Sequence, residues 1–438
     1  MNRISVFAII FTLFIPLGSY AQYASSSKTP KKAGDLIEST SYNDHKRGAP
    51  RMLQYLPSGE EFVCVNGKNR YTRALYGGHT AWRLETGDRP IFATYVKNDC
   101  RNIRFRLHLP DGTVTPLEET DWCEARYNPG TRTYALKDKA WGENCSLKVS
   151  VLASLTEEMA VWELSGELPA GCELEVLNSP IRRKKLSRSG DMGADPPGCF
   201  EPAEDGTVLQ ILKCRFPADG HLYVGISGNE LKEMQDGGVQ YLALQKACRE
   251  LAGRIRITTP DPYFNTLGGA LAVAADGIWG EEGVWLHGAV GWRMPLSGWR
   301  AAYVGDVLGW HDRARIHFDN YAASQVTEVP NTIPHPAQDS ALALARSAKI
   351  WGTPQYSNGY ICRNPRRNNQ MHHYDMNLCY IDELLWHFNW TGDLEYARRM
   401  WPLLTLHLAW EKRNFDPDND GLYDAYACIW ASDALYYN

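Results

Sequence analysis

The residues most suited to chemistry gather in the last stretch of the chain, NFDPDNDGLYDAYACIWASDALYYN. Asp433 stands beside Trp430 and Ser432 at an expected helix start. A carboxyl against a large apolar ring has a raised pKa, which suits a general acid that protonates a leaving oxygen. A carboxylate at a helix start is also favoured by the helix dipole alone, so two readings of Asp433 stand. Upstream, Asp416, Asp418 and Asp420 before Gly421 resemble the opening of a calcium loop. The glutamate such a loop needs at position twelve falls on Ala427, so no calcium-binding hand is expected, and a simpler cation site stays open.

A second group lies in WGEEGVWLHGAVGWRMPLSGWRAAYVGDVLGWHDR, residues 279–313. The pairs Trp292-Arg293 and Trp299-Arg300, with Asp306, offer aromatic platforms and charged groups that grip hydroxyls or carboxylates. Asp306 follows Trp299 by seven residues, so both are expected on one helix face. The competing reading is a tryptophan-filled core with ordinary ion pairs. A third group, His372-His373-Tyr374-Asp375, precedes a helix; His373 and Asp375 are candidates for the same cleft, while adjacent histidines are no metal signature.

These groups need a scaffold of some size, and 438 residues are enough for two domains. A net charge of -5 with no long basic run excludes nucleic acid and anionic membranes as partners of first choice. Residues 1–21 read as a signal peptide: Arg3, an apolar run from Val6 to Leu17, and Ser19-Tyr20-Ala21 before Gln22. The run is too short to span a bilayer, so a secreted, periplasmic protein without membrane insertion is expected. Eleven cysteines at irregular spacing support neither a disulfide framework nor a zinc site, and nothing calls for a cofactor.

Residues 22–55 read as a linker. From 56 to 257 the pattern is period two: Ile103, Phe105, Leu107 and Leu109 alternate with polar neighbours, as do Leu147, Val149, Val151 and Ala153. This pattern predicts an antiparallel β-sandwich. The Arg/Lys-bearing loop at 182–206 is expected to be solvated. After Pro260 the spacing becomes helical, with helices predicted over 262–276, 299–323, 337–350, 374–390 and 393–413 and a sixth from Ser432. The apolar face of the fourth is set by Leu378, Ile381, Leu385 and Phe388.

A sandwich followed by α-hairpins with Trp-rich loops resembles the six-hairpin glycosidases, whose catalytic domain is an (α/α)6 toroid. The segment F-D-x-D-N-D-G-L at 415–422, followed by an acid among aromatics, is similar to the bile-acid β-glucosidase (glucosylceramidase-like) family, in which that acid is the acid/base catalyst. The resemblance implies this role for Asp433. VNGKNRYTRALYGG at 65–78 and HGAVGWR at 287–293 resemble a family of secreted, uncharacterised glycosidase-like proteins of gut-type bacteria. The implied function is hydrolysis of plant or host glycans, with an oligosaccharide or polysaccharide as partner. Trp292, Arg293, Trp299, Arg300, Asp306, His373, Asp375 and Trp430 would bind it. About six helices make half a toroid over 258–438, so an incomplete cleft is expected. Two alternatives remain: a non-catalytic glycan-binding remnant, and a polysaccharide lyase using His373 and Tyr374.

Overall fold

A computed structural model describes residues 55–68, 71–183, 186, 189–190, 198–291, 293–327, 335–339, 344–350, 358–368, 376–416 and 418–423. Among them, strands fill Leu56 to Glu233 and helices dominate the rest. The larger sheet has eight strands, in spatial order Leu56–Ser58, Glu61–Val65, Trp122–Asn128, Thr131–Lys137, Ser146–Ala153, Met159–Glu167, His221–Ser227 and Glu230–Glu233. The smaller runs Gln210–Arg215, Glu173–Pro180, Arg101–His108, Phe92–Tyr95, Arg83–Gly87 and Tyr71–Tyr76, with Val114–Pro116 joined to Arg101–His108. All the sandwich pairings are antiparallel.

Period-two alternation builds this core. Ile103, Phe105 and Leu107 are fully buried and face Asn178, Val176 and Leu174 across the ladder. Phe92 and Phe105 from the smaller sheet meet Tyr134 and Trp162 from the larger, with ring centroids 5.4–5.7 Å apart. Edge-to-face packing of this kind interlocks the layers, and truncating one such ring to Ala costs about 3–5 kcal/mol.

Both sheets are also covered on their outer faces, which alternation alone does not reveal. Asn102, expected outside, is fully buried because Phe200 of the 182–206 loop lies over it; its Nδ2 donates to the Phe200 carbonyl at 2.8 Å. The described part of that loop is therefore a cover, with Cys199 and Phe200 buried against Ala93 and Tyr95. This corrects the expectation of a solvated loop. On the larger sheet the cover is a helix, α1 (Gly237–Ala252), inside the span expected to hold strands only. Its residues Tyr241 and Cys248 bury Leu152, Met159 and Val161, and the Tyr241 hydroxyl donates to Ser150 Oγ at 2.7 Å.

Beyond α1 come α2 (Pro262–Asn265), α3 (Leu267–Gly277), α4 (Tyr303–Val307), α5 (His311–Ala322), α6 (Met376–Thr391) and α7 (Leu394–Phe415). Asp261 caps α2 through the Tyr263 amide, and Asp393 caps α7 through the Tyr396 amide. Gly392, at φ +63°, ends α6 as expected. Three expectations need correction. The helix expected from 299 starts only at Tyr303 and breaks at Gly309 (φ +74°), so Trp299 and Asp306 share no helix face. The described residues of 337–350 are not helical: His335–Asp339 pairs antiparallel with Leu344–Ile350, and strand pairing overrides the helix propensity of an Ala-rich stretch. In α6 the buried stripe is Asn377, Tyr380, Ile381, Leu384 and His387, whereas Leu378 and Leu385 are exposed. No helix among the described residues is long and apolar enough to cross a membrane.

Sandwich and helices meet at a polar seam. Asp276, at the end of α3, accepts from His79 Nε2 (3.1 Å) on the sandwich and Arg313 Nη1 (2.7 Å) on α5. Arg293 donates to the carbonyls of Gly277 (2.6 Å), His79 (2.6 Å) and Trp279 (3.1 Å). Gly277 is needed here, because a Cβ would stand 2.7 Å from the Tyr76 ring. Burial acts most strongly on the Asp276 carboxyl and raises its pKa, but His79 and Arg313 together bring it below the ordinary value. A carboxylate whose folded pKa is depressed stabilises above its unfolded value, near 3.9, and that contribution fades as pH falls through the folded value. Asp276→Asn should thus cost about 2 kcal/mol near pH 7. The deficit should shrink below about pH 4 in denaturation curves. A pH-independent deficit would show that the charge is not what matters.

Candidate functional site

The 279–313 segment leaves α3 through a two-strand turn, Trp279–Gly280 against Val284–Trp285. The turn brings the Trp279 and Trp285 rings to a centroid distance of 4.7 Å. Trp285 is completely buried, and its backbone N–H donates to His317 Nδ1 of α5 at 3.1 Å. Burial holds His317 down to a pKa of about 3, so the imidazole is neutral at any physiological pH. The segment then exposes part of Trp299, whose ring packs edge-on against His287 at 4.3 Å. Arg300 comes next, exposed and at φ +61°, a conformation that turns the chain sharply into α4.

The proposed ligand-contacting residues separate in space. Arg293 is committed to three backbone carbonyls at the seam. Asp306 is buried in α4, where its carboxylate accepts from His311 Nδ1 (2.7 Å) and His387 Nδ1 (2.9 and 3.0 Å). Trp299 and Arg300 remain solvent-facing. Trp292, His373, Asp375, Trp430 and Asp433 lie outside the described residues.

The carboxyl that stands out is one that the motifs of the sequence do not mark. Glu383 of α6 is 2% exposed, and neither oxygen has a hydrogen bond of normal geometry. Burial drives its pKa well above the carboxylate range. A hydrogen bond from the Ala302 backbone amide opposes this, the Asp382 charge adds to it, and the Arg300 guanidinium opposes it. Across from it, Tyr321 of α5 is fully buried with an unpartnered hydroxyl, its pKa pushed far up by burial and then by the carboxylates of Glu282 and Glu383. Trp285 Nε1 and His317 Nε2 are likewise unpartnered. The rings are contiguous, with Trp285 to His317 at 5.7 Å and His317 to Tyr321 at 5.0 Å. Each such atom left dry costs about 1–3 kcal/mol. All four side chains, Glu383, Tyr321, Trp285 and His317, are buried.

Glu383 was legible in one respect. It lies three residues after Tyr380 and four before His387, on the buried stripe; a face phased on Leu378 and Leu385 leaves it outside. The Asp-rich turn is a separate feature. Asp416, Asp418 and Asp420 each bring one oxygen within 4.8 Å of the others, Asp416 accepting from the Gly421 amide and Asp420 from the Leu422 amide. Among the described residues no cysteine is joined in a disulfide.

A family model described as a domain of unknown function (DUF4450) matches residues 100–208, wholly within the sandwich. No curated protein matches the chain.

The Glu383 environment has a direct consequence for stability. An acid whose folded pKa is raised destabilises the fold once pH exceeds the unfolded value, near 4.3, because only the unfolded chain then releases its proton freely. Glu383→Gln should therefore raise the melting temperature at pH 7–8 and make little difference at pH 4. Parallel pH profiles for the two proteins would show that Glu383 titrates normally.

Proposed function

We propose that this protein is a secreted, periplasmic glycoside hydrolase acting on plant or host glycans through acid/base-assisted cleavage of the glycosidic bond. The observation that carries this reading is Glu383, a buried carboxyl that burial drives toward its protonated form against the opposing pull of the Ala302 amide and Arg300. Glycosidic bonds need an acid still protonated at neutral pH to give its proton to the leaving oxygen, and burial is how proteins prepare one. Half-exposed Trp299 against His287, followed by exposed Arg300, is the kind of aromatic and cationic edge that a sugar ring stacks on.

Under this reading the helices belong to a partial (α/α)6 toroid. The general acid that the resemblance assigns is Asp433, and Glu383 is the carboxyl that the described residues contribute to the same reaction. Trp292, His373, Asp375 and Trp430 would complete the sugar site. Arg293 and Asp306 would support it from behind, Arg293 by fixing the 279–285 turn and Asp306 by orienting His387.

The test is hydrolysis of a panel of neutral and acidic polysaccharides by the exported protein, its Glu383→Gln variant and its Asp433→Asn variant. Loss of an acid or base of this kind lowers kcat by about 10²–10⁴-fold. Since Glu383→Gln should fold at least as stably as the parent at pH 7, a lost rate reports chemistry. Wild-type rates in both variants would remove these two assignments, and binding without turnover by the parent would favour the glycan-binding alternative.

A further inference from the structure

Away from the helical site, a cleft of about 350 Å³ opens where the sandwich, the end of α1 and the start of α3 come together. Its apolar side is formed by Pro129, from the turn between two strands of the larger sheet, and Ile255, from the connection after α1. Gly269 makes the junction tight: a Cβ there would stand 2.8 Å from Pro129 Cγ, so α3 can lie directly against the sheet turn. Its polar side is formed by Arg249, Arg256 and Glu60.

The three arginines at this corner differ in what they do. Arg254 donates to the Leu308 carbonyl at 2.7 Å and lies over the Trp310 ring at 5.2 Å. Arg249 and Arg256 face the cleft, and neither has a carboxylate partner among the described residues; the adjacent Glu250 pairs with Lys246. A basic residue in the last turn of α1 complements the helix dipole, which accounts for Arg249 but not for Arg256, seven residues on in the connection. Guanidinium groups that form no ion pair and line one concavity suit a planar oxyanion. Glu60 narrows the choice. It repels any anion, a sugar carboxylate included, but it accepts hydrogen bonds from hydroxyls, which a bare inorganic anion lacks, while Pro129 and Ile255 offer an apolar wall to a ring face. The volume lies within the range of small-ligand pockets.

We infer that this cleft is a binding site for an acidic sugar residue, its carboxylate held by Arg249 and Arg256 and its hydroxyls by Glu60. The site is separate from Glu383 and does not depend on the glycosidase reading, because occupancy is measured without turnover. Isothermal titration of the exported protein with short galacturonate and glucuronate oligosaccharides tests it, with a neutral galactose oligosaccharide and inorganic sulfate as controls. We expect at least one uronate series to bind with Kd on the order of 0.1–1 mM. Arg249→Ala/Arg256→Ala should weaken it at least tenfold and Glu60→Gln several-fold, with the neutral sugar and sulfate much weaker. All three side chains are exposed, so an unchanged melting temperature checks the fold of each variant. No uronate binding up to about 10 mM would overturn the assignment. So would binding unaffected by the double arginine variant, or sulfate binding as tightly as the sugar acids, which would mean a simple anion patch.

Discussion

Arg293 reaches from the Trp-rich segment to three carbonyl oxygens: Gly277 at the end of α3, Trp279 just beyond it, and His79 on the sandwich. Helix ends leave their last carbonyls without partners, and burying them at a domain junction is unfavourable unless a donor is supplied. One planar guanidinium with its fork of N–H groups supplies several at once, which a lysine cannot do with the same geometry. The consequence runs along the chain. Fixing Gly277 and Trp279 fixes the turn that carries Trp285. Trp285 then fixes His317 through its backbone amide, and His317 belongs to the same ring cluster as Tyr321. The polar seam is therefore the first link in a series of contacts that ends at Tyr321, whose hydroxyl feels the charge of Glu383.

That series is built against stability. A neutral buried histidine, a phenol with no partner and a carboxyl whose burial its neighbours do not offset each favour the unfolded chain, where water satisfies them. The surrounding rings make up the difference: Tyr380 packs edge-on against Tyr321 and Tyr396 against His387, Phe318 lies tilted on His387, and Asp306 ties α4, α5 and α6 together through two imidazoles. Perturbed groups held in this way by a rigid aromatic frame are what functional sites use, although ion-pair networks perturb pKa values as well. The seam shows the contrast. There His79 and Arg313 outweigh burial and the Asp276 pKa falls, whereas at Glu383 the Ala302 amide and Arg300 do not outweigh burial and the pKa rises.

The strands were legible in the sequence because one buried face imposes a strict period of two, as at Ile103, Phe105 and Leu107. What covered the outer faces was not. The run that forms α1 comes directly after a strand-rich stretch, and its buried residues Tyr241, Cys248 and Leu251 are too sparse to announce a helix. Cys199 and Phe200 are lone apolar residues in a polar loop. In α6 apolar residues surround the axis, with Trp386 and Trp390 exposed on one side and Tyr380 and Leu384 buried on the other. Hydrophobicity then cannot select the inward face, and a phase error hides Glu383. Asp306 stands out in the sequence as an acid among tryptophans, but its histidine partner His387 is 81 residues away, beyond the reach of local spacing.

The matched family segment, 100–208, contains Arg101–His108 and Glu173–Pro180, which pair along eight residues in the smaller sheet. These strands supply Phe105 and Val176 to the core between the sheets, and none of the unpartnered polar atoms around Glu383 comes from them. A shared sandwich segment therefore speaks for a shared scaffold, because function resides in sites and not in the fold that bears them. The sandwich still bears on the helical site at a defined point. Its Tyr76-Gly77-Gly78-His79 turn delivers the His79 carbonyl to Arg293 and the His79 ring to Asp276. His79 holds φ at +56°, which an imidazole residue adopts only at a cost that surrounding contacts must offset. The YGG of the 65–78 segment and Arg293 of the 287–293 segment, more than 200 residues apart, thus belong to the two sides of one junction. Their joint presence is explained by the geometry of the seam: the glycines admit a close turn, and the arginine closes it.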